Sequence, residues 1–218
     1  LLGSYVDEML TGTRASQMKF LEENKSELFK KNGDPYADVV QAMQAIERVR
    51  KQPLMMHYLS GKHQVIMTGE IEGVPFKIKM DSFGQNEYIT DLKYMASLRS
   101  PNLFKPMVEY WGYDIQAAVY QEIVRQNTGE RLPFFFDVAT KETPAHVALG
   151  QINQYNIDKA LEIVKRDIVR FQKCELPAER CEDYGCAYCT ETKIITEPID
   201  TDLFGMSTAQ IKAMNGEL

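Results

Sequence analysis

The sequence predicts an α/β fold: a central mixed sheet, made of an antiparallel meander plus one later strand, flanked by helices. Three observations predict it. Three β-prone runs, 64–71, 74–81 and 88–93, follow one another across short turns at Glu72-Gly73 and Ser82-Phe83-Gly84-Gln85-Asn86, which is the pattern of a meander. A later run, 132–139, with three consecutive Phe, reads as a buried strand. Segments with helical spacing stand before, between and after these runs, so helices pack on one sheet and a repeating βαβ unit is excluded. The chain has 218 residues, 44% of them apolar, enough for one domain with a sizeable core.

The helices are legible from their apolar stripes. Residues 1–11 form an amphipathic stretch that Gly12 cuts off. A second opens at Asp34-Pro35 and carries Val39, Val40, Met43, Ile46 and Val49 to Lys51, where Pro53 closes it. The third spans 106–126, with Pro106 in the first turn and Met107, Trp111, Ile115, Val119 and Ile123 four residues apart. The fourth spans 151–171, with Ile152, Tyr155, Leu161, Val164, Ile168 and Phe171 on its apolar face; a short helix follows Ser207. Trp111 and the Met55-Met56 pair read as packing residues.

A formal net charge of −6 weighs against a chain that coats nucleic acid with a basic face, though a local basic channel can coexist with an acidic surface. No apolar run nears the roughly 20 residues needed to cross a bilayer, so no membrane partner and a soluble protein are expected. The first residues, Leu1-Leu2-Gly3-Ser4-Tyr5, lack an initiator Met and a signal pattern, so the chain is expected to start inside a longer protein.

The chemistry concentrates in the meander. Along Ile89-Thr90-Asp91-Leu92-Lys93 the period of two puts Asp91 and Lys93 on one face, about 7 Å apart. The preceding hairpin brings Asp81 close to Asp91. Two carboxylates suit a hard cation such as Mg²⁺, which takes oxygen ligands and leaves positions for water and phosphate; the Leu92 carbonyl offers a third oxygen. Beside them, Lys93 is suited to orient an attacking water or to stabilise charge on a phosphate. Alone, an Asp-x-Lys is a weak signal, because surface pairs produce it often. Its alignment within a β-prone run, after a hairpin that carries another Asp, is what singles it out.

The segments 73–81 and 89–93 resemble motifs II and III of the PD-(D/E)XK nucleases, and Gln116-Ala117-Ala118-Val119-Tyr120 looks like the Q-x-x-x-Y motif of their RecB-like branch. The wording of 110–116 and of Phe134-Phe135-Phe136-Asp137-Val138-Ala139 is most similar to the RecE, or exodeoxyribonuclease VIII, group of phage-type exonucleases. The resemblance covers nearly the whole chain to Phe171. It implies a restriction-endonuclease-like core and a Mg²⁺- or Mn²⁺-dependent exonuclease acting on the ends of linear duplex DNA in phage-type recombination. Catalytic residues would be Asp81, Asp91, Lys93, Gln116 and Tyr120. It further implies a ring-like homo-oligomer, a partner that anneals single strands, and a cytoplasmic, bacterial or phage-encoded protein. A structure-specific endonuclease and a non-catalytic DNA-binding or assembly module are the alternatives; intact Asp81, Asp91 and Lys93 disfavour the latter. RecB-like nucleases carry a histidine on the first helix, where this chain has Asp7. Asp7 is either a further metal ligand or an ordinary helix residue. None of His57, His63 or His146 stands in that context. Lys77, Lys79 and Lys141 are either phosphate contacts or solvated charges.

Residues 1–173 are expected to form the nuclease domain, and 174–218 a cysteine-containing segment packed on it or extending it. All four cysteines, Cys174, Cys181, Cys186 and Cys189, fall in that segment. Such clustering suits zinc or an iron–sulfur cluster, and four reduced thiols equally.

Overall fold

In the computed structural model, which describes residues 1–101, 106–173 and 186–196 with positions 198, 200, 201, 206 and 214, the sheet is organised outward from one tight turn. Glu72 and Gly73 both take left-handed backbone angles, φ 50° and 74°, as in the two-residue turns whose twist matches that of the strands they join. Strand β1 (Lys62–Ile71) therefore pairs antiparallel with β2 (Val74–Phe83), from Ile71↔Val74 to Lys62↔Phe83. Strand β3 (Ile89–Met95) meets β2 only at Ser82↔Thr90 and Phe83↔Ile89. On its other side it runs parallel to β4 (Phe134–Thr140), paired from Ile89↔Phe134 to Met95↔Thr140. A fifth strand, β5 (Val147–Gln151), pairs antiparallel with β4, giving the order β1-β2-β3-β4-β5. The fold is the mixed-sheet α/β architecture of restriction endonucleases, with one strand more than the sequence announces. In β5, Ala148 and Gly150 favour no strand.

Helices cover both faces. Before the sheet come α1 (Leu2–Thr11), α2 (Arg14–Glu23), α3 (Lys25–Leu28), α4 (Ala37–Arg50) and α5 (Pro53–Tyr58). Between β3 and β4 lie α6 (Met107–Tyr110) and α7 (Tyr113–Thr128). Then follow α8 (Gln154–Gln172) and α9 (Ala187–Glu191). One core joins Ile78, Met80, Ile89, Phe134 and Phe136 of the strands to Ala117, Ile123 and Val124 of α7 and to Ile157, Ala160 and Leu161 of α8. On the other side, Tyr5 and Val6 of α1 and Val39, Ala42 and Ile46 of α4 pack with Leu92 and Tyr94. Ala45, Val49, Met55 and Leu59 close over Ala139.

Several sequence expectations shift. The buried stripe of α4 passes through Ala42 and Ala45, and Val40 and Met43 face solvent, because small side chains let a helix approach the sheet closely. Pro53 does not merely close α4; it occupies the first turn of α5. The helix expected over 106–126 is two, because Gly112 takes φ 67° between them, a conformation glycine adopts without steric cost. That break leaves Trp111 outside the core, 52% exposed, with its ring edge-on to Tyr110 at 5.0 Å. The Asn153 side chain accepts the Tyr155 N–H at 2.8 Å and starts α8 at Gln154, three residues later than expected. Tyr155 and Phe171 are exposed, and the buried face runs through Ile157, Ala160, Leu161 and Val164. Helix α2 buries no residue, so no apolar period betrays it. Of the cysteine cluster, Cys186 stands at the residue just before α9 and Cys189 is buried within it. Cys174, Cys181 and the helix expected after Ser207 lie outside the described residues. Among the described residues, no helix is long and apolar enough to cross a membrane.

Candidate active site

The β2–β3 ladder stops one step short of the two key carboxylates. Extending its register by one residue sets Asp81 opposite Asp91, but there Asp81 Oδ2 accepts the Leu92 N–H at 2.9 Å. A carboxylate has replaced a backbone carbonyl as acceptor, so the strands fork at this point and the acid groups stand between them.

Asp91 is buried, 5% exposed, and its neighbours account for its charge. Lys93 Nζ lies 2.7 Å from Asp91 Oδ2. The Gln116 side chain of α7 donates from Nε2 to Asp91 Oδ1 at 2.6 Å, and its Oε1 accepts from Lys93 Nζ at 2.9 Å. One amide thus bonds both members of the Asp-x-Lys pair. Lys93 Nζ also lies 4.7 Å from the ring centre of Tyr113 and 5.8 Å from that of Phe136, within range of cation–π attraction. Tyr120, one turn beyond Gln116, donates its hydroxyl to the Lys79 carbonyl at 3.1 Å, fastening α7 to β2. Helical spacing puts Tyr113, Gln116 and Tyr120 on one face of α7, and that face looks onto the fork.

Asp7 on α1 is near enough for its charge to act on Asp81. Its Oδ1 accepts from the Thr11 hydroxyl at 3.0 Å and its Oδ2 from Gln64 Nε2 at 3.0 Å. Among the described residues, no three His, Cys, Asp or Glu side chains are gathered closely enough to hold a metal by themselves.

Burial dominates the electrostatics. It is the main cause pushing the Asp81 carboxyl up to about 7, with the like charges of Asp91 and Asp7 adding, and the Leu92 N–H and Lys93 opposing. The Asp91 carboxyl is also raised by burial, against the pull of Lys93 and Gln116. Asp7 is raised by burial too, opposed by its bond from Thr11 and the charge of Lys79. The Tyr120 phenol is raised for the same first cause. Neighbouring desolvated carboxylates are costly to ionise together unless a cation joins them. An all-oxygen donor pair suits a hard divalent ion such as Mg²⁺ or Mn²⁺.

Gln64 and Tyr113 escaped the sequence reading. Gln64 was findable: counting outward from the Glu72–Gly73 turn sets it opposite Asp81. Tyr113 was hidden by the assumption of an unbroken helix, since the Gly112 break is what makes it the first residue of α7.

A mixed sheet with helices on both faces, a forked hairpin that carries Asp81, and Asp91-x-Lys93 on the following strand define the PD-(D/E)XK nuclease class. Residues 1–192 match the family described as a PDDEXK-like domain of unknown function (DUF3799), and the chain belongs to that family. Among solved structures, it is similar to one from Eubacterium rectale described as a "putative exonuclease". The identity is 40% and the TM-score 0.71, over 94% of this chain and 78% of that one. No curated protein matches it significantly.

Proposed function

We propose that the chain is a Mg²⁺- or Mn²⁺-dependent exodeoxyribonuclease that hydrolyses phosphodiester bonds from the ends of linear duplex DNA, in phage-type recombination. The observation that carries this reading is the Lys93–Asp91–Gln116 cluster set beside Asp81 in the strand fork. Asp81 and Asp91 would hold the cation with the Leu92 carbonyl and Asp7, and water and phosphate would take the remaining positions. The ion, when bound, polarises the scissile phosphate and acidifies a coordinated water. Lys93 orients the attacking water and stabilises charge on the phosphate oxygens. Gln116 keeps Lys93 and Asp91 in register by bonding to both, and Tyr120 holds the helix that carries it. Lys77, Lys79 and Lys141 are exposed and serve as phosphate contacts. Exonucleolytic action is supported by the description of the Eubacterium rectale protein. Action on duplex ends, the homo-oligomer and the annealing partner follow from the resemblance to RecE-type enzymes.

Digestion of end-labelled linear DNA and closed circular DNA, each with Mg²⁺ and with EDTA, tests the reading. Loss of the linear substrate alone, and only with metal, is the expected result. Cutting of the circle would make the protein an endonuclease. Intact DNA in every lane would leave the assembly-module alternative.

A further inference from the structure

Gln64 interrupts β1 at a place where nothing in the strand itself requires it. The β1–β2 register passes from His63↔Ser82 to Val65↔Met80 and skips the pair between them, Gln64 and Asp81. At that position Gln64 has φ 54°, a left-handed conformation that a side chain other than glycine adopts only at a steric cost. Backbone strain of this kind persists where the surroundings over-determine it, and it clusters at functional sites. Here its geometric result is visible. The Gln64 amide reaches α1 and donates from Nε2 to Asp7 Oδ2 at 3.0 Å. The Thr11 hydroxyl holds the other oxygen and also bonds the Asp7 carbonyl at 2.9 Å. The carboxylate so clamped is one whose charge is felt at Asp81.

We propose that Gln64 is a positioning residue: its left-handed backbone turns an amide out of the strand to fix the Asp7 carboxylate beside Asp81, and so raises the affinity of the acidic fork for a divalent cation. The inference rests on the nuclease reading. Asp7 needs such a clamp because its charge and that of Asp81 repel each other. A carboxylate free to rotate would turn to water and take its charge away from the fork. The tight Glu72–Gly73 turn makes the clamp reproducible, since it places Gln64 opposite Asp81 in the pairing.

The test is a set of Mn²⁺ titrations without DNA, read by the electron paramagnetic resonance of free Mn²⁺, together with thermal unfolding and turnover. Gln64→Gly removes the amide and relieves the backbone strain, so its melting temperature should equal or exceed that of the parent. Its Mn²⁺ affinity should nevertheless fall about tenfold, as expected when one hydrogen bond to a charged group is lost. Turnover should return toward the parental value at saturating Mn²⁺. Asp7→Asn should weaken Mn²⁺ to a similar or greater degree, and adding Gln64→Gly to it should cost nothing further, because both changes act on one carboxylate. Unchanged Mn²⁺ affinity in Gln64→Gly, or full additivity with Asp7→Asn, would overturn the proposal while leaving the nuclease reading intact. A parent protein that neither binds Mn²⁺ nor cuts DNA would instead remove the nuclease reading itself.

Discussion

Lys93→Ala lowers single-turnover cleavage at saturating DNA by about 10²-fold or more, the scale of losing one preorganised electrostatic donor. The side chain is held in place for that role. It is 21% exposed, 2.7 Å from Asp91 Oδ2, and its ammonium is bonded by Gln116. On the proposed role in the chemical step, DNA affinity should change little, with many backbone contacts sharing that burden. Asp91→Asn should lose activity by another route, through weaker cation binding, so excess Mn²⁺ should restore part of its rate. The same excess should do nothing for Lys93→Ala. Rapid-quench measurements with end-labelled DNA separate the two cases. Normal cutting by Lys93→Ala at saturating DNA would reduce the lysine to a phosphate contact.

Asp137→Asn changes how stability depends on pH. Asp137 is fully buried, and neither carboxylate oxygen has a hydrogen-bond partner among the described residues. Burial alone pushes its carboxyl up to about 7. An unfolded chain releases this proton near pH ~4, whereas the folded protein keeps it until about 7. Between those limits the folded state binds more protons, so unfolding becomes easier as pH rises, and the loss levels off above 7. The whole penalty is on the order of 4 kcal/mol, at about 1.4 kcal/mol per pH unit. The asparagine side chain has the shape of the neutral acid and nothing to ionise. Urea unfolding should therefore show the variant close to the parent near pH 4–5 and clearly more stable than it at pH 8. Asp81 and Asp91 bend both curves in the same direction, so the difference between the curves isolates Asp137. Parallel curves from pH 5 to 8 would mean that a partner stabilises the ionised form.

Much of this was legible in the sequence because the site's core is local. Asp81, Asp91 and Lys93 fall within one hairpin and its neighbouring strand, so a period of two and a short turn suffice to bring them together. Gln116 and Tyr120 were legible for a similar reason: helical spacing defines a face, and a helix directly after the hairpin has little choice of sheet to cover. What failed were boundaries decided by single residues. Gly112 splits a stretch whose apolar period runs on unbroken through Trp111 and Ile115, so periodicity alone moved Trp111 into the core. The stripe of α4 was misread because Ala42 and Ala45 carry a weaker hydrophobic signal than Val40 and Met43, although they are the residues that pack. Asp137 stood in plain view inside an apolar run. No local pattern shows that a carboxyl enclosed by a sheet and its helices will find no partner.

The uneven pairing of β3 has a consequence for the order in which the enzyme is built. The strand that bears Asp91 and Lys93 pairs its backbone with the earlier chain at Ser82↔Thr90 and Phe83↔Ile89 alone, and with later chain along its whole length, from Ile89↔Phe134 to Met95↔Thr140. Pairings distant in sequence form late, because the loop that separates them must first be closed. A growing polypeptide therefore carries both carboxylates and the lysine long before it can hold them in place. Gln116 can reach them only once α7 has folded across, and β4, the strand that secures β3, is synthesised after that. On the proposed function, cutting power is thus withheld during synthesis, and the site is assembled only when nearly all of the sheet exists.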